Sequence, residues 1–205
     1  MQTRRSGAAI WLAAIGGAWL ALAHGAAELY RSNERLGIAW AQDDLQSKRI
    51  VPYVPTPQDV VERMLEMAEV KKGDVVYDLG SGDGRIVVTA AKKYGVKAVG
   101  FEIDPERIKE SHENIEKAGV GHLVEIRQQD ILTVDVSPAS VVTMYLLPDV
   151  NLKLRPTLLR QLKPGSRIVS HDFDMGDWKP DRTEKIKDSS GWDHTLYLWR
   201  IPARK

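Results

Sequence analysis

The 205-residue sequence has no cysteine, only two phenylalanines, and almost no net charge, with 29 Lys and Arg against 28 Asp and Glu. The missing cysteine excludes disulfides, thiolate metal sites and a cysteine nucleophile. Balanced charge leaves no overall field to gather the molecule onto nucleic acid or an anionic membrane, so nucleic acid is not an expected partner. Internal repeats and low-complexity tracts are also absent. The length suits one domain of ordinary size with some chain to spare.

That spare chain is at the start. Residues 7–27 form a nearly unbroken apolar run with Trp11, Leu12, Ile15, Trp19, Leu20 and Leu22, preceded by Arg4 and Arg5. At about 1.5 Å per residue, a helix of this length spans the roughly 30 Å hydrocarbon layer. Gly16, Gly17 and apolar residues on every face argue against a buried core helix, which normally keeps a polar side. The run reads as an apolar helix anchoring the chain to a membrane. The alternative is a cleaved signal ending at Ala21-Leu22-Ala23 or Ala39-Trp40-Ala41, with export of the remainder. Arg31, Arg35 and Lys48 beyond the run balance Arg4 and Arg5, so basic residues do not orient it. Residues 28–50 read as a linker and residues 51–205 as the folded domain.

From Asp74 onward, β-branched runs alternate with helical patterns. Residues 75–79, 98–102, 123–127, 141–145 and 166–170 read as strands. Helices are expected over 85–94, from Asp104-Pro105 to Gly119, and over 151–162 before Lys163-Pro164-Gly165. Ahead of them, Thr56 reads as an N-cap and Pro57 as the first position of a helix carrying Val60, Val61, Met64 and Leu65. This rhythm implies a Rossmann-like, doubly wound α/β fold. Its sheet is expected to be seven-stranded and mostly parallel, with residues 194–201 as an antiparallel C-terminal edge strand.

The strongest motif is Asp78-Leu79-Gly80-Ser81-Gly82-Asp83-Gly84-Arg85, a strand running into a glycine-rich turn and then a helix. The glycines bring backbone N–H groups close to a ligand, and the helix N-terminus favours a carboxylate. The spacing is G-x-G-x-G rather than the G-x-G-x-x-G of dinucleotide enzymes, and Asp78 and Asp83 would repel a pyrophosphate. A ligand with positive groups suits these acids better. Glu102 ends the second strand, where an acid can take both ribose hydroxyls. Asp130 follows the third strand near an expected adenine amino group, with Ile103 and Ile131 available to sandwich the ring.

These residues resemble the seven-β-strand methyltransferases: D-L-G-S-G-D-G-R is similar to their first motif, F-E-I-D to their second-strand acid and Q-Q-D-I-L to their adenine contact. S-adenosylmethionine, with its carboxylate, ammonium and sulfonium, is the cofactor this resemblance implies. More narrowly, Val51-Pro52-Tyr53-Val54-Pro55-Thr56-Pro57 is similar to the lysine methyltransferases of the ATP synthase c subunit and the adenine nucleotide translocase. That resemblance implies a membrane-associated enzyme acting on a lysine amine of an integral membrane protein, with Tyr53 and Thr56 as cofactor or substrate contacts. A proline-stiffened entry to a capped helix explains the same stretch without a ligand. Since S-adenosylmethionine is made in the cytosol, the domain is expected on the cytoplasmic face of a membrane.

On the acceptor side, Tyr145 and Pro148 after the fourth strand are the candidate catalytic residues, their surroundings favouring a neutral amine. The Asn-Pro-Pro-Tyr of adenine-N6 methyltransferases and the acidic magnesium set of catechol-type enzymes are both missing. His171-Asp172-Phe173-Asp174 invites a metal reading, but a polar loop explains it and no metal is expected; His171 is a further residue that could line the acceptor site. A small-molecule methyltransferase, an inactive cofactor-binding scaffold and a nucleotide-linked oxidoreductase remain the alternatives.

Overall fold

The computed structural model describes residues 53–204. Their elements run α1 (Gln58–Met67), β1 (Val75–Leu79), α2 (Arg85–Tyr94), β2 (Lys97–Glu102), α3 (Pro105–Ala118), β3 (Val124–Gln128), a short 3-10 turn (Ile131–Thr133), β4 (Val141–Met144), α4 (Pro148–Gln161), β5 (Arg167–His171), β6 (Arg182–Lys187) and β7 (Asp193–Arg200). They build one seven-stranded sheet in the order β3-β2-β1-β4-β5-β7-β6. The first five strands pair in parallel, and β7 pairs antiparallel with both β5 and β6.

Alternation along the strands creates two cores. Val76, Val141, Val169, Leu196 and Leu198 face a layer holding Val60, Met64 and Leu65 of α1 and Val87 and Ala90 of α2. Their neighbours Tyr77, Leu79, Val142, Met144, Ile168 and Trp199 face Val150, Leu154 and Leu158 of α4 on the opposite side. Both faces of the central strands are therefore covered, as a parallel sheet requires. A buried ion pair pins the lower end: Arg167 Nη2 lies 2.6 Å from Asp74 Oδ2, and its Nε donates to the Ala68 carbonyl at 2.9 Å.

Two details differ from the sequence reading. β7 is antiparallel as expected but lies inside the sheet, because β6 covers its outer side. The sequence of β6, RTEKIK, is mostly exposed and charged, so it carries no hydrophobic run. The first helix is also capped differently: Pro57 occupies the N-cap without a side-chain hydrogen bond, and the Thr56 side chain turns elsewhere.

The expected membrane-anchored placement is corrected. Among the described residues no helix is long and apolar enough to cross a membrane. The two longest, α3 and α4, have 14 residues each. That is about 21 Å of helix against a layer of roughly 30 Å, and both carry charged side chains. The apolar helix and linker expected over residues 7–50, together with Val51 and Pro52, lie outside the described residues.

Candidate functional site

Strand order reverses between β1 and β4, and in open α/β sheets ligands settle beyond the carboxyl ends of the strands at such a point. A cleft partly open to solvent lies there. It is lined by the segment 53–56, by residues following β1, β2, β3 and β4, and by Arg85 and Ile86 of α2. Of the residues expected to bind a cofactor, Tyr53, Thr56, Asp78, Gly80, Ser81, Gly82, Asp83, Glu102, Ile103, Asp130 and Ile131 all line it. Gly84 and Pro148 are not among its lining residues, whereas Tyr145 is. Gly84 instead caps α2 with φ of 77°, where a β-carbon would crowd Ser111 at 3.1 Å. Pro148 begins α4.

The glycine turn is held from below and from the side. Gly80 and Ser81 N–H groups both donate to the Phe101 carbonyl at 2.9 Å. Ser111 Oγ donates to the Gly82 carbonyl at 2.7 Å and Asn114 Nδ2 to that of Asp83 at 2.9 Å. Gly100 on β2 lets the turn settle, since a β-carbon there would meet Ser81 Oγ at 2.6 Å. Gly100, Ser111 and Asn114 were not foreseen from the sequence; the small residues facing the turn were the available clue.

The acids divide into different roles. Asp83 is clamped by Arg85, whose Nη2 lies 2.7 Å and Nε 2.9 Å from its two oxygens. Burial opposes ionisation of Asp83, but the guanidinium holds its carboxyl below the usual range. Its charge is thus balanced within the turn, correcting the expectation that Asp78 and Asp83 act together on a positive ligand. Asp78 is 2% exposed and accepts only a neutral donor in the hydrogen bonds described, the Thr143 hydroxyl at 2.7 Å. Burial pushes its pKa up to about 7, against the Thr143 bond and with help from Glu102 and Asp83.

Glu102 is oriented by three backbone N–H groups: Gly82 on Oε2 at 2.8 Å, and Ile103 and Asp104 on Oε1 at 2.7 and 3.0 Å. Oε1 has both lone pairs engaged, whereas Oε2 keeps one for a further donor. Asp130 Oδ1 accepts the Leu132 N–H at 2.9 Å and caps the 3-10 turn. Above the turn, the Tyr53 ring lies over Gly82, with the Arg107 guanidinium 4.7 Å from the ring centre. Arg85 Nη1 donates to the Thr56 carbonyl at 2.9 Å, tying the segment 53–56 to the turn.

Beyond β4 the cleft wall is aromatic and polar. Tyr145 packs on His171 with ring centres 3.9 Å apart, and its hydroxyl donates to Asp172 Oδ2 at 3.4 Å. His171 is fully buried behind Thr56 and does not itself line the cleft. Its Nδ1 lies 3.1 Å from Thr56 Oγ1 and its Nε2 2.8 Å from His194 Nδ1. The sequence motif ran from His171 to Asp174; His194, which reaches His171 and Asp172 from β7, was missed. Burial lowers the His171 pKa to about 4, with Asp172 pulling upward and His194 downward.

S-adenosylmethionine fits this chemistry: an acid at the end of each of β1 and β2, and Ser81 Oγ buried without a hydrogen-bond partner among the described residues. The backbone amides expected to meet the ligand at Gly80, Ser81 and Gly82 instead donate to the Phe101 carbonyl and to Glu102. Fold and site define a class I S-adenosylmethionine-dependent methyltransferase. The ANTKMT methyltransferase domain model matches residues 78–182, and the chain belongs to that family. A protein-lysine N-methyltransferase of Saccharolobus islandicus (strain REY15A) is 53% identical over 156 residues, covering 76% of this chain and 96% of that protein. The lysine N-methyltransferase of the ATP synthase c subunit from Homo sapiens is 34% identical over 153 residues, covering 75% of this chain and 65% of the human protein. A solved structure described as an RNA methyltransferase from Salinibacter ruber in complex with S-adenosyl-L-homocysteine is 56% identical with a TM-score of 0.69, covering 74% of this chain and 96% of that one. The cofactor of this chain is S-adenosylmethionine.

Proposed function

We propose that the chain transfers a methyl group to a lysine amine of a protein. The observation that carries this reading is the relation to the Saccharolobus protein-lysine enzyme across nearly that protein's full length. The Salinibacter neighbour is described as acting on RNA. Against RNA stands a charge balance of 29 to 28, without the basic excess that phosphate binding favours.

In this reading, Asp78 receives the cofactor ammonium and Gly80, Ser81 and Gly82 form the floor under its methionine part, with Asp83 and Gly84 shaping the turn. Glu102 takes the ribose hydroxyls, and Ile103, Ile131 and Asp130 hold the adenine. Tyr53 closes over the turn. When bound, S-adenosylmethionine supplies an electrophilic methyl on a sulfonium. Methyl transfer needs alignment of the acceptor nitrogen with that methyl more than it needs a covalent intermediate. Tyr145, Leu146 and Thr56 form the wall that would align it, with Pro148 starting the helix behind Tyr145. The catalytic domain is taken to begin near Val51. An integral membrane protein as the acceptor is the finer form of the proposal, supported by the relation to the human enzyme, whose name specifies the ATP synthase c subunit.

Acetylating the lysines of a protein extract before adding the enzyme and methyl-labelled S-adenosylmethionine tests this reading. Incorporation should disappear after acetylation; undiminished label would reject lysine.

A further inference from the structure

The side chains behind the acceptor wall form a row with a fixed hydrogen-bond direction. At its far end, Asp188 lies under the β6–β7 turn, where Oδ1 accepts the N–H groups of Ser190 and Trp192 at 2.9 and 2.8 Å. Its Oδ2 stands 3.3 Å from His194 Nε2. A carboxylate only accepts, and Asp188 is nearer to His194 than Asp172 is, whose Oδ2 stands 3.6 Å from Nδ1; in the neutral ring the proton therefore sits on Nε2 and Nδ1 is left as an acceptor. His171 Nε2 lies 2.8 Å from that Nδ1 and 3.2 Å from Asp172 Oδ2. Two acceptors therefore face His171 Nε2, which must be the protonated nitrogen. Its Nδ1 is then bare and takes the Thr56 hydroxyl proton across 3.1 Å.

We propose that this row turns Thr56 into an obligatory hydrogen-bond acceptor at the cleft, positioning the N–H of an amine acceptor; the inference rests on the lysine reading above. Thr56 lines the cleft at 4% exposure, and with its proton committed to His171 its hydroxyl has only lone pairs left for a donor there. An ammonium or amine can donate to them, whereas a carboxylate or carbonyl would meet lone pair against lone pair. The Thr56 side chain is tied to β5, on the far side of β4 from the acids at the ends of β1 and β2, while its carbonyl is held by Arg85 beside the cofactor turn, so the hydroxyl stands on the acceptor side of the shared cleft. Neutral His171 is needed throughout, and its burial keeps it neutral at physiological pH. The groups facing it are Thr56, Tyr145, Asp172 and His194. A shared metal ion explains the cluster less well. Two nitrogen ligands about 2.0 Å from a tetrahedral ion would stand roughly 3.3 Å apart, wider than the 2.8 Å between His171 Nε2 and His194 Nδ1.

Asp172 offers a way to disturb the row. It has φ of 58°, a conformation asparagine adopts readily, and its Oδ1 accepts the Thr195 N–H at 2.8 Å. In Asp172→Asn the side-chain oxygen keeps that bond, so the amide NH2 faces His171 Nε2. His171 Nε2 then stands between that NH2 group and the accepting Nδ1 of His194, so neither tautomer satisfies both neighbours and its hold on the Thr56 hydroxyl proton weakens.

The test measures initial methylation rates for the full chain with saturating S-adenosylmethionine and limiting protein extract from the source cells, where rate tracks kcat/KM. S-adenosylhomocysteine affinity and melting temperature are measured alongside. Thr56→Val and Asp172→Asn should each lose about 10-fold or more in kcat/KM, Thr56→Ser should stay within about threefold, and all should keep wild-type affinity for S-adenosylhomocysteine. A Thr56→Val rate equal to wild type, a loss that follows S-adenosylhomocysteine affinity, or an unimpaired Asp172→Asn would overturn the inference. Wild-type label on something other than lysine would overturn the lysine reading as well, and is seen before any variant is made.

Discussion

The ring of Tyr53 occupies the space that a β-carbon on Gly82 would need, well inside van der Waals contact, and Gly82 itself has φ of 53°. The closing residue and the cofactor turn are therefore built against each other. Gly82→Ala must displace the ring and also strain the turn by about 1–2 kcal/mol. S-adenosylhomocysteine affinity should fall about 10-fold or more by titration calorimetry. Gly82→Ala/Tyr53→Ala should lose less than the two single changes combined, because they share one contact.

Asp78 sets a pH dependence for cofactor binding. Its pKa of about 7 lies above the ordinary carboxylate value, so part of the population is protonated at neutral pH. A cofactor carrying positive charge favours the ionised form. Affinity should therefore rise between about pH 6 and 8, with proton release detected as a buffer-dependent calorimetric heat. Asp78→Asn should bind more weakly and lose that release; an unchanged pH profile would show that another group is responsible.

Much of this arrangement was legible because it follows from local rules. The glycine turn, Glu102 and Asp130 sit at strand ends, where alternating strands and helices fix their relative places. What the sequence concealed depends on contacts between distant segments. Arg85 is adjacent to the motif, yet its clamp on Asp83 appears only once the turn is folded. His194 joins His171 because β7 inserts beside β5, and β6 escaped notice because an exposed, charged edge strand has no apolar pattern.

The Arg167–Asp74 pair joins β5 to the chain entering β1 away from the cleft. Removing one partner leaves the other charge buried, at a typical cost of 3–5 kcal/mol. Arg167→Met should lower the midpoint of urea unfolding while leaving S-adenosylhomocysteine affinity of the folded protein within about twofold. A matching loss of affinity would mean that the pair also shapes the site.

His171 makes an acid-sensitive contribution. Its folded pKa of about 4 lies below the unfolded value near 6.5, so on acidification the unfolded chain takes up the proton first. The associated stability is present above about pH 6.5 and lost progressively as pH falls toward 4, by no more than about 3 kcal/mol. His171→Gln removes this term, so the stability difference between wild type and variant should shrink or reverse over that window. A difference independent of pH would show that His171 does not titrate as described.

The central claim is that an Asp78 and Glu102 cofactor site serves transfer to a protein lysine. Its most direct test incubates the full chain with methyl-labelled S-adenosylmethionine and extract of the source cells containing both protein and RNA. The labelled product is then hydrolysed to amino acids and nucleosides for chromatographic identification. The account predicts label in methyl-lysine with wild type and none with Asp78→Ala/Glu102→Ala. Label recovered in methylated nucleosides, or methyl-lysine formed equally well by the double variant, would contradict it.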